Sequence, residues 1–183
     1  VQPVKGSRDG LLAVGPNGNP TEFTHWSFGQ TAQRAGAPAG YLRDLPAPIA
    51  ADCLNYGLKF HRDVEELGIL LEGAKGGDGA SLSPTLRAVT GPNYGRIWNA
   101  TITRALVDRF GDGVTGAFRV PGEFSKRVEV TRENTTLYAS DRDMFVFLAD
   151  EVHRIDVPDR RNGKTGSMAR GFFISNSEVG AGL

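Results

Sequence analysis

Gly171-Phe172-Phe173-Ile174-Ser175-Asn176-Ser177-Glu178-Val179-Gly180 is the stretch whose reading decides the fold. An aromatic and β-branched run passes straight into a polar corner and then into glycine, the pattern of a buried strand delivering a sharply turned loop. The whole second half of the chain is written in the same way. Residues 114–120, 127–130, 135–138, 144–148, 152–157 and 168–175 are strand-like runs, each bounded by Gly, Pro, Asn or Asp. Ahead of all of them, Asn99 stands as an N-cap before Ile102, Leu106, Val107 and Phe110, with Gly111 just past the end. The pattern predicts a mainly antiparallel sheet with this helix as the lid over one face.

The first half is helical in pattern. Ser27 is placed to cap a helix through Ala35, Gly36 to end it, and Pro38 to open a second helix carrying Tyr41, Leu42 and Leu45. Pro48 to Phe60 spaces Ile49, Cys53, Leu54, Gly57 and Leu58 as a third helix with one apolar stripe. The runs 67–71 and 86–89 flank a glycine-rich loop and predict a hairpin. Residues 1–21, rich in turn formers around Leu11-Leu12-Ala13-Val14, read as a flexible arm or a single edge strand. The expected architecture is therefore α+β: short N-terminal helices, then a mainly antiparallel sheet covered by one helix, as a single domain over residues 22–183.

With 183 residues, 39% hydrophobic and 23% charged, the chain has the composition of one ordinary globular domain. Its 21 basic and 21 acidic side chains cancel, so any nucleic-acid contact must rest on a local patch. The single Cys53 forms no intrachain disulfide, and three scattered histidines make no zinc cluster, which fits a reducing, cytoplasmic setting. Neither a membrane span nor a secretory leader is read from the sequence, and no cofactor is implied.

Several segments carry candidate chemistry. Arg154, Arg160, Arg161, Lys164 and Arg170 outnumber Asp156 and Asp159 around an Asn162-Gly163 turn, so these cations ride on a projecting β-ribbon. Such a ribbon suits a phosphate backbone; it equally suits an edge protected by solvated charge. The helix pair at 27–45 has helix-turn-helix spacing, although its second helix offers only Tyr41, Arg43 and Asp44 to a groove. Asp141, Asp143, Asp150 and Glu178 are hard ligands whose spacing demands no magnesium site. Ser175, Ser177 and Glu178 beside His153 lack a nucleophile elbow. Lys75-Gly76-Gly77-Asp78-Gly79 lacks the ending of a phosphate-cradling loop. Trp26, Tyr41, Tyr56, Tyr94 and Trp98 are aromatics suited to base stacking or to core packing.

In this order, four groups of residues resemble the phage/plasmid-like proteins gathered as domain of unknown function 932. They are Trp26–Gln30 with Ala35–Pro38 and Tyr41–Pro46; Leu54–Leu58; Leu86–Val89 with Tyr94–Asn99; and Gly171–Gly180, which includes the family motif of unknown role, Ser175, Asn176, Ser177 and Glu178. The resemblance implies a mobile-element protein in the cytoplasm of a bacterial host, with no reaction to carry over and with a family sequence that continues beyond Leu183. The residues and the resemblance together lead to a non-enzymatic factor that binds single-stranded DNA in replication, recombination or strand annealing, as a monomer or homo-oligomer. A protein-interaction factor acting on a host defence or regulatory protein is the alternative. A metal-dependent nuclease using Asp143 or Glu178 is a third.

Overall fold

A computed structural model describes residues 1–4, 10–15, 17–60, 66–73, 84–121, 138–140, 142–158, 163 and 165–180. The fold is α+β, and the chain divides into two compact units, Val1–Gly95 and Arg96–Leu183.

The first unit holds a five-stranded sheet and three helices. The strands are β1 (Gln2–Pro3), β2 (Leu11–Val14), β3 (Pro20–Phe23), β4 (Gly68–Glu72) and β5 (Thr85–Thr90), in the order β1-β2-β3-β5-β4. Between β3 and β4 lie α1 (His25–Arg34), α2 (Ala39–Asp44) and α3 (Ala47–Phe60). Residues 2–3, 11–14 and 20–21 thus belong to the sheet. Leu12 pairs with Glu22 antiparallel, and Glu22 pairs with Thr85 in parallel, which joins the N-terminal strands to β5. The expected hairpin is present as β4 against β5. Phe28, Ala32, Ala35, Leu42 and Leu54 form the core, where small side chains on α1 and α3 let the helices approach closely.

Helix α1 starts one turn earlier than its sequence signal. Thr24 is the cap, accepting from the Ser27 N–H at 3.0 Å while Ser27 Oγ accepts from the Thr24 N–H at 3.0 Å, so Ser27 is the third-residue partner of a capping box. Helix α3 differs from expectation in having two apolar faces. Ala47, Ala50, Ala51, Leu54 and Gly57 are buried, whereas Ile49 and Cys53 are exposed.

The second unit comprises α4 (Asn99–Phe110), β6 (Phe118–Arg119), β7 (Tyr138–Ala139), β8 (Asp143–Asp150), β9 (Ile155–Val157), β10 (Gly166–Met168) and β11 (Gly171–Ser177). Its main sheet runs β11-β8-β6, with β7 also pairing β8, and every pairing is antiparallel. Met144, Val146 and Leu148 point inward with Phe172 and Ile174, packing with Leu106, Ile102 and Phe110 of α4. The rings of Phe110, Phe118 and Phe172 meet at 4.8–5.9 Å between centroids. The helix is the lid that the pattern requires. The run 168–175 is broken, because β9 and β10 form a separate ribbon and the chain enters the main sheet only at Gly171. A side chain at Gly171 would place its Cβ 2.6 Å from the Leu148 carbonyl oxygen.

Candidate nucleic-acid interface

The cationic ribbon is the first place to look. Arg160, Arg161 and Lys164 lie outside the described residues; Arg154 and Arg170 stand at the ribbon's root, and each has an acidic partner. Arg154 pairs with Glu151, and it braces the ribbon by donating to Ser167 Oγ at 3.0 Å and to the Ser167 carbonyl at 3.2 Å. Arg170 reaches Asp150 Oδ2 through two nitrogens, at 3.3 and 3.4 Å, with 67% of its side chain exposed.

Asp150 closes β8 and is 1% exposed. It accepts from the His153 N–H at 2.9 Å and lies 3.1 Å from His153 Nδ1. The His153 backbone bond does most to hold this carboxyl below its ordinary value of 3.8, against desolvation, and the His153 and Arg170 side chains add to it. A depressed carboxyl stabilises the folded state above its unfolded pKa, and that contribution is lost as pH falls through the folded value. Asp150→Asn therefore has a shallower loss of stability below about pH 4 than the parent, read from unfolding midpoints across a pH series. An unchanged acid limb would contradict this role.

The Ser175 to Glu178 corner lies at the other end of the same strand pair. Ser177 is in register with Asp143, while Gly171 is in register with Ala149. Seven residue steps along β8 separate Asp143 from Asp150, roughly 23 Å at ~3.3 Å per residue. Ribbon root and polar corner therefore do not share a small ligand. For the same reason Asp143 and Asp150 do not share an ion, and His153 does not serve Ser175 or Ser177.

Within the corner the polar groups are engaged in holding α4. Glu178 Oε1 accepts the Asn99 N–H at 2.7 Å, a carboxylate placed on the helix N-terminus where the dipole favours it. The Glu178 carbonyl accepts from Arg96 Nε at 2.7 Å. Asn176 Nδ2 donates to the Ile97 carbonyl at 2.9 Å and to Asn99 Oδ1 at 2.7 Å. The one Ser177 hydroxyl proton has two acceptors within reach, the Arg142 carbonyl at 3.1 Å and the Gly180 carbonyl at 3.0 Å. Asn99 is thus the first helical residue, Trp98 is the N-cap residue, and the capping acceptor comes from Glu178.

The face of the main sheet opposite α4 carries a different set of side chains. Phe147 and Phe173 are directly opposed across β8 and β11, with ring centroids 5.7 Å apart. Phe173 is 64% exposed and Phe147 37%. The next row on this face is Arg119, Ala149 and Gly171, so a guanidinium-bearing residue and two small residues border the aromatic pair. Arg170 immediately precedes that row in the chain.

No family model, curated protein or solved structure matches this chain. The functional argument is accordingly carried by its own residues.

Phe147, Phe173 and Arg119 were not singled out by sequence reasoning. Alternation in residues 144–150 and 171–177 signals two faces, but both carry aromatics, so periodicity alone does not say which one the helix covers. Of the aromatics named for stacking, Trp26, Tyr41, Tyr56 and Tyr94 belong to the first unit and Trp98 to the second. The helix pair with helix-turn-helix spacing has a short second member. Helix α2 has six residues, and Arg43 turns back to the His25 carbonyl at 3.0 Å and over the Phe28 ring. Asp141 and the loop 75–79 lie outside the described residues, among which no group of three or more His, Cys, Asp or Glu side chains could hold a metal ion. No helix among them is long and apolar enough to cross a membrane.

Proposed function

We propose that this chain is a non-enzymatic mobile-element factor that binds single-stranded DNA on the face of the β8–β11 sheet opposite α4. The observation that carries the reading is the opposed, exposed pair Phe147 and Phe173 with Arg119 in the adjoining row. Bases of any sequence have a π-face, so two neighbouring rings on a rigid sheet accept unpaired bases without reading them. Arg119, in the adjoining row, and Arg170, just beyond it at the ribbon root, take phosphates at that end of the pair. A guanidinium has five N–H donors, and the contact of Arg170 with Asp150 leaves donor capacity for a phosphate.

An anisotropy titration of a labelled oligothymidine across a salt series tests this. Engagement of Arg119 and Arg170 alone gives a log–log salt slope of about −1.4, and recruitment of Arg154, Arg160, Arg161 and Lys164 as well steepens it to about −4. A duplex of equal length binds more weakly because its bases are stacked on one another. Absence of binding at low salt, affinity indifferent to salt, or equal affinity for duplex would overturn the proposal.

A second reading is favoured by the acidic partners of Arg154 and Arg170, which reduce the positive field at the ribbon root. In it the same aromatic pair docks a host defence or regulatory protein. Recovery of a stoichiometric host protein, unaffected by neutralising the ribbon cations, together with no oligonucleotide binding, selects that alternative.

A further inference from the structure

The exposed face of α3 points to a second interface, and we infer that it pairs with the same helix of a second copy of this chain, antiparallel about a two-fold axis. Ile49, Cys53, Tyr56 and Phe60 recur at intervals of four, three and four, which places them within an arc of about 60° on the helix. Ile49, Tyr56 and Phe60 are 51%, 69% and 62% exposed, and Cys53 is exposed as well. Ala50, Leu54 and Gly57, which fix α3 to its own core, lie on another side of the helix. The Tyr56 and Phe60 rings are 4.8 Å apart, a preformed aromatic ridge.

The spacing is a palindrome centred between Leu54 and Asn55. An antiparallel mate therefore sets Ile49 against the partner's Phe60 and Cys53 against the partner's Tyr56, so that each layer of the seam joins two apolar side chains. Charge selects this orientation and this occupant. Asp52 and Lys59 border the stripe on one side, seven residues apart. In the antiparallel pair each Asp52 runs alongside the partner's Lys59, twice per dimer. A parallel pair would carry the Asp52 and Lys59 edge of one copy to the opposite side of the seam from that of its mate, so neither charge would meet its opposite. A surface that is apolar, palindromic and self-complementary in charge fits its own copy.

A 14-residue helix offers a small contact, so the dimer is a concentration-dependent one. Sedimentation velocity of the full chain over a concentration series tests it, with a reversible monomer–dimer equilibrium expected. Tyr56→Asp, at a position already exposed to water, leaves the far-ultraviolet spectrum unchanged and removes the dimer. Asp52→Lys weakens the dimer about tenfold by facing like charges, and the exchange Asp52→Lys with Lys59→Asp restores it. A chain that stays monomeric throughout, a dimer indifferent to Tyr56→Asp, or a charge exchange that fails to restore Asp52→Lys would overturn the inference.

Discussion

Gly57→Ala lowers the stability of the first unit by about 2–3 kcal/mol, opposite in sign to its effect in an open helix. Alanine favours a helix interior over glycine by roughly 1 kcal/mol, so a neutral site would gain from the change. At this position the added methyl would lie 2.1 Å from the Ala35 carbonyl oxygen and 2.7 Å from Ala35 Cβ. Neither atom is the tip of a flexible side chain. Ala35 closes α1, its N–H bonds the Thr31 carbonyl at 2.9 Å, and Ala37 returns to the Ala32 carbonyl at 2.9 Å. Separating α3 from α1 disturbs that closure and opens space around Ala32 and Leu54, both wholly buried. The expected reading is a lower urea midpoint with an unchanged slope, and faster amide exchange confined to residues 25–60. A raised midpoint would show that the helices have room to part.

The second large effect is the loss of the α4 clamp. Asn176→Ala removes the bonds to the Ile97 carbonyl and Asn99 Oδ1, and Glu178→Ala removes the acceptor of the Asn99 N–H. Each resembles the loss of a helix cap, about 1–2 kcal/mol, and Glu178 adds its favourable interaction with the helix dipole. Because both side chains meet at Asn99, the double variant loses about 2–4 kcal/mol with measurable non-additivity. Glu178→Gln keeps an acceptor oxygen and loses only the charge, so it retains most of the stability. Oligonucleotide affinity per folded molecule stays at the parent value in all four, since Asn176 and Glu178 are turned to α4 and the Phe147–Phe173 pair is on the opposite face of the sheet. Unaltered unfolding midpoints with altered binding would make the corner a ligand site instead.

These two cases also mark how far the sequence could be read. The terminal strand, the end of α4 at Gly111 and the β4–β5 hairpin follow from local signals: period-two alternation, a residue at φ 88°, and a glycine-rich connection. The role of the polar corner was not legible, because its partners at Ile97 and Asn99 are distant in the chain and no local rule assigns Glu178 to cap a helix nearly eighty residues earlier. Of the N-terminal strands, Leu11–Val14 was read as an arm or an edge strand, and β1 and β3 were missed for a related reason. Pro20–Phe23 is short and opens with proline, and its parallel partner β5 follows only after three helices. On α3 the spacing signalled an apolar stripe, but Leu54 and Gly57 went to the core while Ile49 and Cys53 went to solvent; the small volumes of Ala50, Ala51 and Gly57 decided which side seats against α1.

The site itself divides in the same manner. Its cations were visible as a local excess of Arg and Lys, whereas the Phe147–Phe173 pair needed the register of two strands and the identity of the face that α4 covers. Stacking on that pair is the centre of the functional account. The measurement that tests it most directly is the affinity of a labelled oligothymidine for the parent chain, Phe173→Ala and Phe173→Trp under one salt condition, with the salt slope of each. Phe173 is 64% exposed, so its replacement leaves the core intact. The account predicts that Phe173→Ala weakens binding by about tenfold, in keeping with ~1–3 kcal/mol per stacked base, that Phe173→Trp retains it, and that all three share one slope because the phosphate contacts are untouched. Equal affinities for the parent and Phe173→Ala would contradict it.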